Sequence, residues 1–213
     1  MTAINEESNL TRHLRKDLPV GAEDLAALRA RLAVAATAAS ILDIAYRVTD
    51  TPVGPLLLAA TERGLVRVAF ASENHDAVLQ ALADRISPRI LHAPARLDGV
   101  AAELEEYFAG HRSAFEVPLD WRLTAGFRSV VLRQLATDVG YGQTASYSAV
   151  ARLAGSPKAI RAVGTACATN PLPVIIPCHR VVRSDGSMGG YLGGLDAKRT
   201  LLSLEAAACP ASR

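Results

Sequence analysis

Ser146-Tyr147-Ser148-Ala149-Val150-Ala151-Arg152-Leu153-Ala154-Gly155-Ser156-Pro157-Lys158-Ala159-Ile160-Arg161-Ala162-Val163 reads as a helix, a turn and a second helix. Gly155 suits the position just past a helix end, where the chain turns left-handed. Ser156 is placed to cap the next helix and Pro157 to open it. Two helices joined by a glycine-containing turn are a helix-turn-helix signature. On the second helix, expected over 157–168, Val163, Ala166 and Cys167 share a core-facing stripe, and Lys158, Arg161 and Thr165 face outward. The outer face is small apart from two long cations. It can approach a nucleic-acid groove closely, with Arg161 as its probe near mid-helix.

Directly downstream lies Asn170-Pro171-Leu172-Pro173-Val174-Ile175-Ile176-Pro177-Cys178-His179-Arg180-Val181-Val182. Three prolines in seven residues fix the backbone approaching Cys178, because each sets its own φ and restricts its predecessor. Val174-Ile175-Ile176 predicts a short buried strand with Cys178 at its end. A nearby imidazole raises the thiolate fraction of a cysteine. His179 is the only histidine after residue 120.

Charge divides the chain. Residues 1–120 carry 12 Lys+Arg against 17 Asp+Glu, a net −5; residues 121–213 carry 11 against 4, a net +7. The reactive pair therefore sits in a basic half suited to a polyanion. Cys167, Cys178 and Cys209 form no CxxC pair, and no His/Cys cluster has zinc spacing. There is no run of eighteen apolar residues and no signal-peptide pattern, so a cytoplasmic protein without membrane association is expected.

The acidic half reads as a polar stretch over 1–20, an Ala/Leu/Arg-rich helix over 22–40, and strands at 44–48, 55–60 and 65–70. Helices are expected near 74–84 and 97–109. The domain reading is an extension over 1–40, an α/β domain over 41–120 and a mostly helical domain over 121–213. The fold class is α+β.

Four pieces in order resemble the O6-alkylguanine-DNA alkyltransferase family: Tyr141 to Tyr147, Pro157 to Gly164, Asn170 to Val182, and Gly189 to Arg199. The resemblance runs from about Phe127 to Glu205, and more weakly over 44–70. It implies a ribonuclease H-like first domain with a small three-stranded antiparallel sheet, and a winged-helix-like second domain. It implies irreversible, stoichiometric transfer of an alkyl group from O6-alkylguanine, and O4-alkylthymine, in double-stranded DNA to Cys178, with no cofactor and no obligate protein partner. In that reading His179 is the base, through a water. Glu205 orients His179, and Asn170 braces the turn carrying the cysteine. The helix-turn-helix enters the minor groove, Arg161 fills the space left by the flipped nucleotide, and Tyr147 donates to guanine N3. Lys198 supports the site, Pro173, Val181, Tyr191 and Leu192 line the alkyl pocket, and Arg128, Lys158 and Ser184 join the DNA contacts. The Gly189–Gly194 run would let backbone approach the base closely.

The sequence also departs from the family. Residues 1–120 contain no cysteine, so no zinc site is expected. Ala168 stands where some members carry a second arginine. Leu192 is larger than the residue often found there, which would narrow the pocket. Two other readings of the same residues are a Cys-His hydrolase and a non-catalytic sensor of alkylated DNA.

Overall fold

The computed structural model describes residues 22–208. They fall into two units, one ending at Ile41 and one beginning at Leu42. In the first, the expected alanine-rich helix is α1 (Ala22–Ala38). It closes with Ser40 in the left-handed region and with Ile41 N–H returning to the Ala36 carbonyl at 3.0 Å.

The second unit begins with an antiparallel meander: β1 (Ile44–Thr49), β2 (Leu56–Thr61) and β3 (Gly64–Phe70). β2 is central and buried along its whole length, so it reads as an apolar run rather than an alternation. A fourth strand, β4 (Ile90–His92), pairs parallel with β1, and the sheet order is β3-β2-β1-β4. Three partly exposed residues are too few to show a period, so this strand is invisible in the sequence. Helices α2 (His75–Arg85) and α3 (Asp98–Phe108) lie where expected. Val78 and Leu82 of α2 pack onto Leu57, Ala59, Val66 and Ala69 of the sheet.

After α3 the chain returns alongside β3, where Leu65 N–H donates to the Pro118 carbonyl and Asp120 N–H to the Leu65 carbonyl, both at 2.8 Å. The close approach needs Gly64, because a Cβ there would strike the Pro118 backbone. Buried Asp120 accepts from Thr61 Oγ1 at 2.6 Å and pairs with Arg122 at 2.7 Å.

The remainder is helical: α4 (Gly126–Asp138), α5 (Tyr147–Leu153), α6 (Ile160–Ala168) and α7 (Gly194–Ala208). α4 packs against α5 and α6. Short parallel strands β5 (Ala145–Ser146) and β6 (Val181–Val182) pair, and Val182 bridges Met188 across a tight turn at 183–187, a small wing.

Two local expectations are corrected. α5 ends at a left-handed Gly155 as read, but α6 starts at Ile160, not Pro157. Ala159 N–H donates to the Ser156 carbonyl at 2.9 Å, which closes a turn over Pro157 and Lys158 and leaves Ser156 outside the helix. The run 174–176 is not a strand. Val174 sits at φ 72°, Pro173 bridges Ile176, and the segment is a buried turn. Its apolar residues mark burial, and burial alone does not separate a strand from a packed turn.

Candidate active site

The turn at 171–177 is laced by the side chain of Asn170. Leu172 N–H donates to Asn170 Oδ1 at 3.0 Å, and Asn170 Nδ2 donates to the Ile176 carbonyl at 3.0 Å. The same Nδ2 lies 3.1 Å from Cys178 Sγ. Strand β3 holds the turn from outside: Val68 N–H donates to the Pro171 carbonyl at 2.8 Å, and Arg67 reaches the Asn170 carbonyl at 3.4 Å. Cys178 then opens one turn of 3₁₀-helix over Cys178–Arg180.

Cys178 is 2% exposed. Burial pushes its thiol up to about 11, against the opposing pull of the Asn170 hydrogen bond and the Lys198 charge. The resting group is a thiol, and its reactivity requires a base. His179 is fully buried, and burial holds its pKa below the ordinary imidazole value even with Glu205 beside it.

Glu205, on α7, is 1% exposed and saturated with donors. Oε1 receives Tyr107 Oη at 2.7 Å, His179 Nε2 at 2.8 Å and Arg180 Nη2 at 3.0 Å. Oε2 receives Arg180 Nε at 2.9 Å and Gly142 N–H at 3.1 Å. Burial pushes this carboxyl up, but the hydrogen bonds from His179 and Arg180 outweigh it and hold the group at about 2. An ionised carboxylate only accepts, so the proton of neutral His179 is on Nε2. Nδ1 is left with its lone pair, buried and without a protein partner. That nitrogen is the base the site offers.

Lys198 is also fully buried; Nζ donates to the Val181 carbonyl at 2.6 Å and approaches the Gly189 carbonyl at 3.5 Å. It ties the strand after the cysteine to the glycine-rich loop. Tyr191 in that loop meets the His179 ring edge-on at 6.2 Å and the Phe70 ring at 5.6 Å. Two glycines of this loop are required by packing within the protein. A Cβ at Gly189 would collide with the Tyr147 hydroxyl, and one at Gly193 with the Phe70 ring.

Of the other predicted residues, Pro173 and Val181 are buried beside the cysteine turn. Leu192 is half-buried and lines a cleft of about 470 Å³ with Asn170, Pro171 and Arg67. Arg161 is exposed on α6, Lys158 on the turn before it, and Ser184 on the wing. Arg128 is half-buried and donates to the Leu123 carbonyl and, at the surface, to Thr169 Oγ1, so it braces α4 against the end of α6. Sequence reasoning assigned no role to Arg180 or Tyr107. Arg180 lies inside the quoted motif, but Tyr107 is 98 residues from its partner Glu205, and nothing local marks it.

Among the described residues no group of three His, Cys, Asp or Glu side chains could hold a metal ion, and no helix is long and apolar enough to cross a membrane.

A helix-turn-helix joined to a buried cysteine, histidine and glutamate defines a DNA-binding class of protein. Family models agree on which one. The DNA-binding domain of 6-O-methylguanine DNA methyltransferase matches residues 126–207, and the ribonuclease-like domain of the same family matches 44–121. The chain belongs to that family. It is 38% identical to the methylated-DNA–protein-cysteine methyltransferase of Mycobacterium tuberculosis over 171 residues, covering 79% of this chain and 96% of the relative. Against the bifunctional transcriptional activator/DNA repair enzyme Ada of Escherichia coli it is 39% identical, covering 78% of this chain and 46% of that protein. The crystal structure of M. tuberculosis OGT in complex with DNA superposes with a TM-score of 0.68 at 37% identity, covering 78% of this chain and 96% of that one.

Proposed function

We propose that this chain repairs DNA by direct reversal, accepting the alkyl group of O6-alkylguanine irreversibly on Cys178. The observation that carries the reading is a buried Cys178 braced by Asn170, next in the chain to a buried His179 whose Nε2 is held by Glu205, in the basic helix-turn-helix half of the molecule.

In this reading the Cys178 proton passes to His179 Nδ1, through a water, and Glu205 stabilises the imidazolium formed. The thiolate attacks the alkyl carbon. The S–C bond forms, the C–O6 bond breaks, and its electron pair goes to the guanine ring, which gains one proton in place of the alkyl group, balancing the one that Cys178 gave up. Tyr147 donates a hydrogen bond to guanine N3, making the base a better leaving group. Glu205 remains a carboxylate throughout. A thiol at about 11 and a neutral histidine fit a resting protein that ionises its sulfur only as the proton moves.

The target oxygen is inside the stacked duplex, so the nucleotide is flipped out. Arg161, exposed on α6, is assigned to the vacated space, and the small outer face of α6 to the minor groove. Lys158 and Ser184, exposed on turns, are assigned to phosphates.

The test is incubation with duplexes carrying O6-methylguanine or O4-methylthymine, followed by intact-protein and peptide mass spectrometry. One added methyl on Cys178 per protein, without turnover, is expected. Multiple turnover would indicate a hydrolase, and binding without a mass change a sensor. A Cys178→Ser protein that still demethylates DNA would overturn the assignment.

A further inference from the structure

Glu205 is held by four groups, and three belong to the basic half: His179, Arg180 and the Gly142 amide. The fourth, Tyr107, comes from α3 in the ribonuclease-like half. Its hydroxyl does not land on the oxygen that Gly142 uses. It lands on Oε1, the oxygen that accepts from His179 Nε2, at 2.7 Å against 2.8 Å. From this geometry we propose that Tyr107 is a positioning residue for alkyl transfer: its hydroxyl sets the carboxylate oxygen that orients His179. The proposal rests on the functional reading above and assigns part of the reaction's machinery to the domain that carries no cysteine.

The ring is built to place that one oxygen. Tyr107 is fully buried, edge-on to Phe108 at 5.3 Å and to Tyr141 at 5.9 Å, and tilted against Phe115 at 5.2 Å. A tyrosine so enclosed has little rotational freedom, so its hydroxyl is a fixed point. Burial, then the adjacent carboxylate, hold it firmly protonated, so it is a donor throughout the working pH range.

The two donors on Oε1 draw on the same charge. Removing the Tyr107 hydroxyl leaves the carboxylate less neutralised, so it pulls harder on the His179 proton, and the imidazole becomes more basic. The other groups around the His179 ring stay in place: Glu205 at Nε2 with Arg180 on the same carboxylate, Tyr191 in edge-on contact, and Lys198 and Cys178 nearby. Positive charge on Arg180 and Lys198 opposes protonation of His179, and neither depends on Tyr107.

The experiment compares wild type with Tyr107→Phe, which keeps the buried ring. Single-turnover methyl transfer is followed from pH 5 to 9, and the His179 imidazole is titrated by NMR in DNA-free protein. Expected are a transfer rate lowered about tenfold near neutrality, unchanged DNA affinity, and an upward displacement of the His179 midpoint and of the acid limb of the rate profile by about half a pH unit or more. Incorporating 3-fluorotyrosine at position 107, a stronger donor, moves the midpoint the other way. A uniform rate loss with an unmoved midpoint, or a rate within twofold of wild type, would overturn the proposal. If wild-type protein transfers no methyl group, the functional reading fails by itself; the NMR titration still judges the Tyr107–Glu205–His179 coupling.

Discussion

Asn170 Nδ2 stands 3.1 Å from Cys178 Sγ and 3.0 Å from the Ile176 carbonyl, so a single amide group spans the turn and touches the sulfur. Asn170→Ala would leave the buried Leu172 N–H without its partner and the Ile176 carbonyl with the Cys178 N–H alone. A stability loss of about 2–4 kcal/mol is expected from denaturant unfolding, with a lower transfer rate even where the variant is fully folded.

Glu205→Gln leaves Arg180 buried beside a neutral amide. The expected cost is about 3–5 kcal/mol, because the guanidinium loses its counter-charge while staying out of water. The pH dependence has a definite sign. The folded Glu205 sits at about 2, below its ordinary 4.5, so its contribution is full above pH 4.5 and is lost as pH falls from 4.5 towards 2. Urea melts across that window should steepen in wild type and flatten in Glu205→Gln; identical pH slopes would contradict the assignment.

Gly189→Ala and Gly193→Ala each introduce a methyl group where another side chain already stands, the Tyr147 hydroxyl and the Phe70 ring respectively. Displacing Tyr147 acts at the proposed proton donor, so Gly189→Ala should slow transfer more than it lowers stability. Gly193→Ala should loosen the loop from β3 and do the reverse, costing about 1–3 kcal/mol. Melting temperatures and single-turnover rates on the pair separate the two effects.

Arg161 and Ala168 lie exposed on α6. Arg161→Ala should leave stability within about 0.5 kcal/mol of wild type while abolishing efficient transfer from duplex DNA. Ala168→Arg should tighten DNA binding and steepen its logarithmic salt dependence by about one. Fluorescence anisotropy at several salt concentrations measures both.

The helix-turn-helix, the Cys-His pair and the three antiparallel strands were readable because each leaves a local mark: a glycine after a helix, prolines around a thiol, runs of β-branched and apolar residues. What was not readable depends on partners far apart in the chain. β4 exists because β1 offers an edge, and Tyr107 has a role only where α3 meets α7. The buried turn at 174–176 was misread because its apolar residues carry the same pattern as a strand. Its left-handed Val174 lies between Leu172 and Ile176, which Asn170 and a backbone bond tie together across the turn.

The lacing of residues 171–177 has a consequence for the protein's lifetime. β3 and Asn170 fit the turn to a bare sulfur atom, and Cys178 has 2% of its surface open. A methylated sulfur occupies more room at the seam where the sheet and the helix-turn-helix hold each other. The proposed reaction therefore writes its own receipt: each spent molecule carries a wedge at that seam, and should melt at a lower temperature than an unused one. Equal melting curves before and after methylation would refute this. A strained, easily opened product would let a cell tell used copies from fresh ones with no receptor for the methyl group itself.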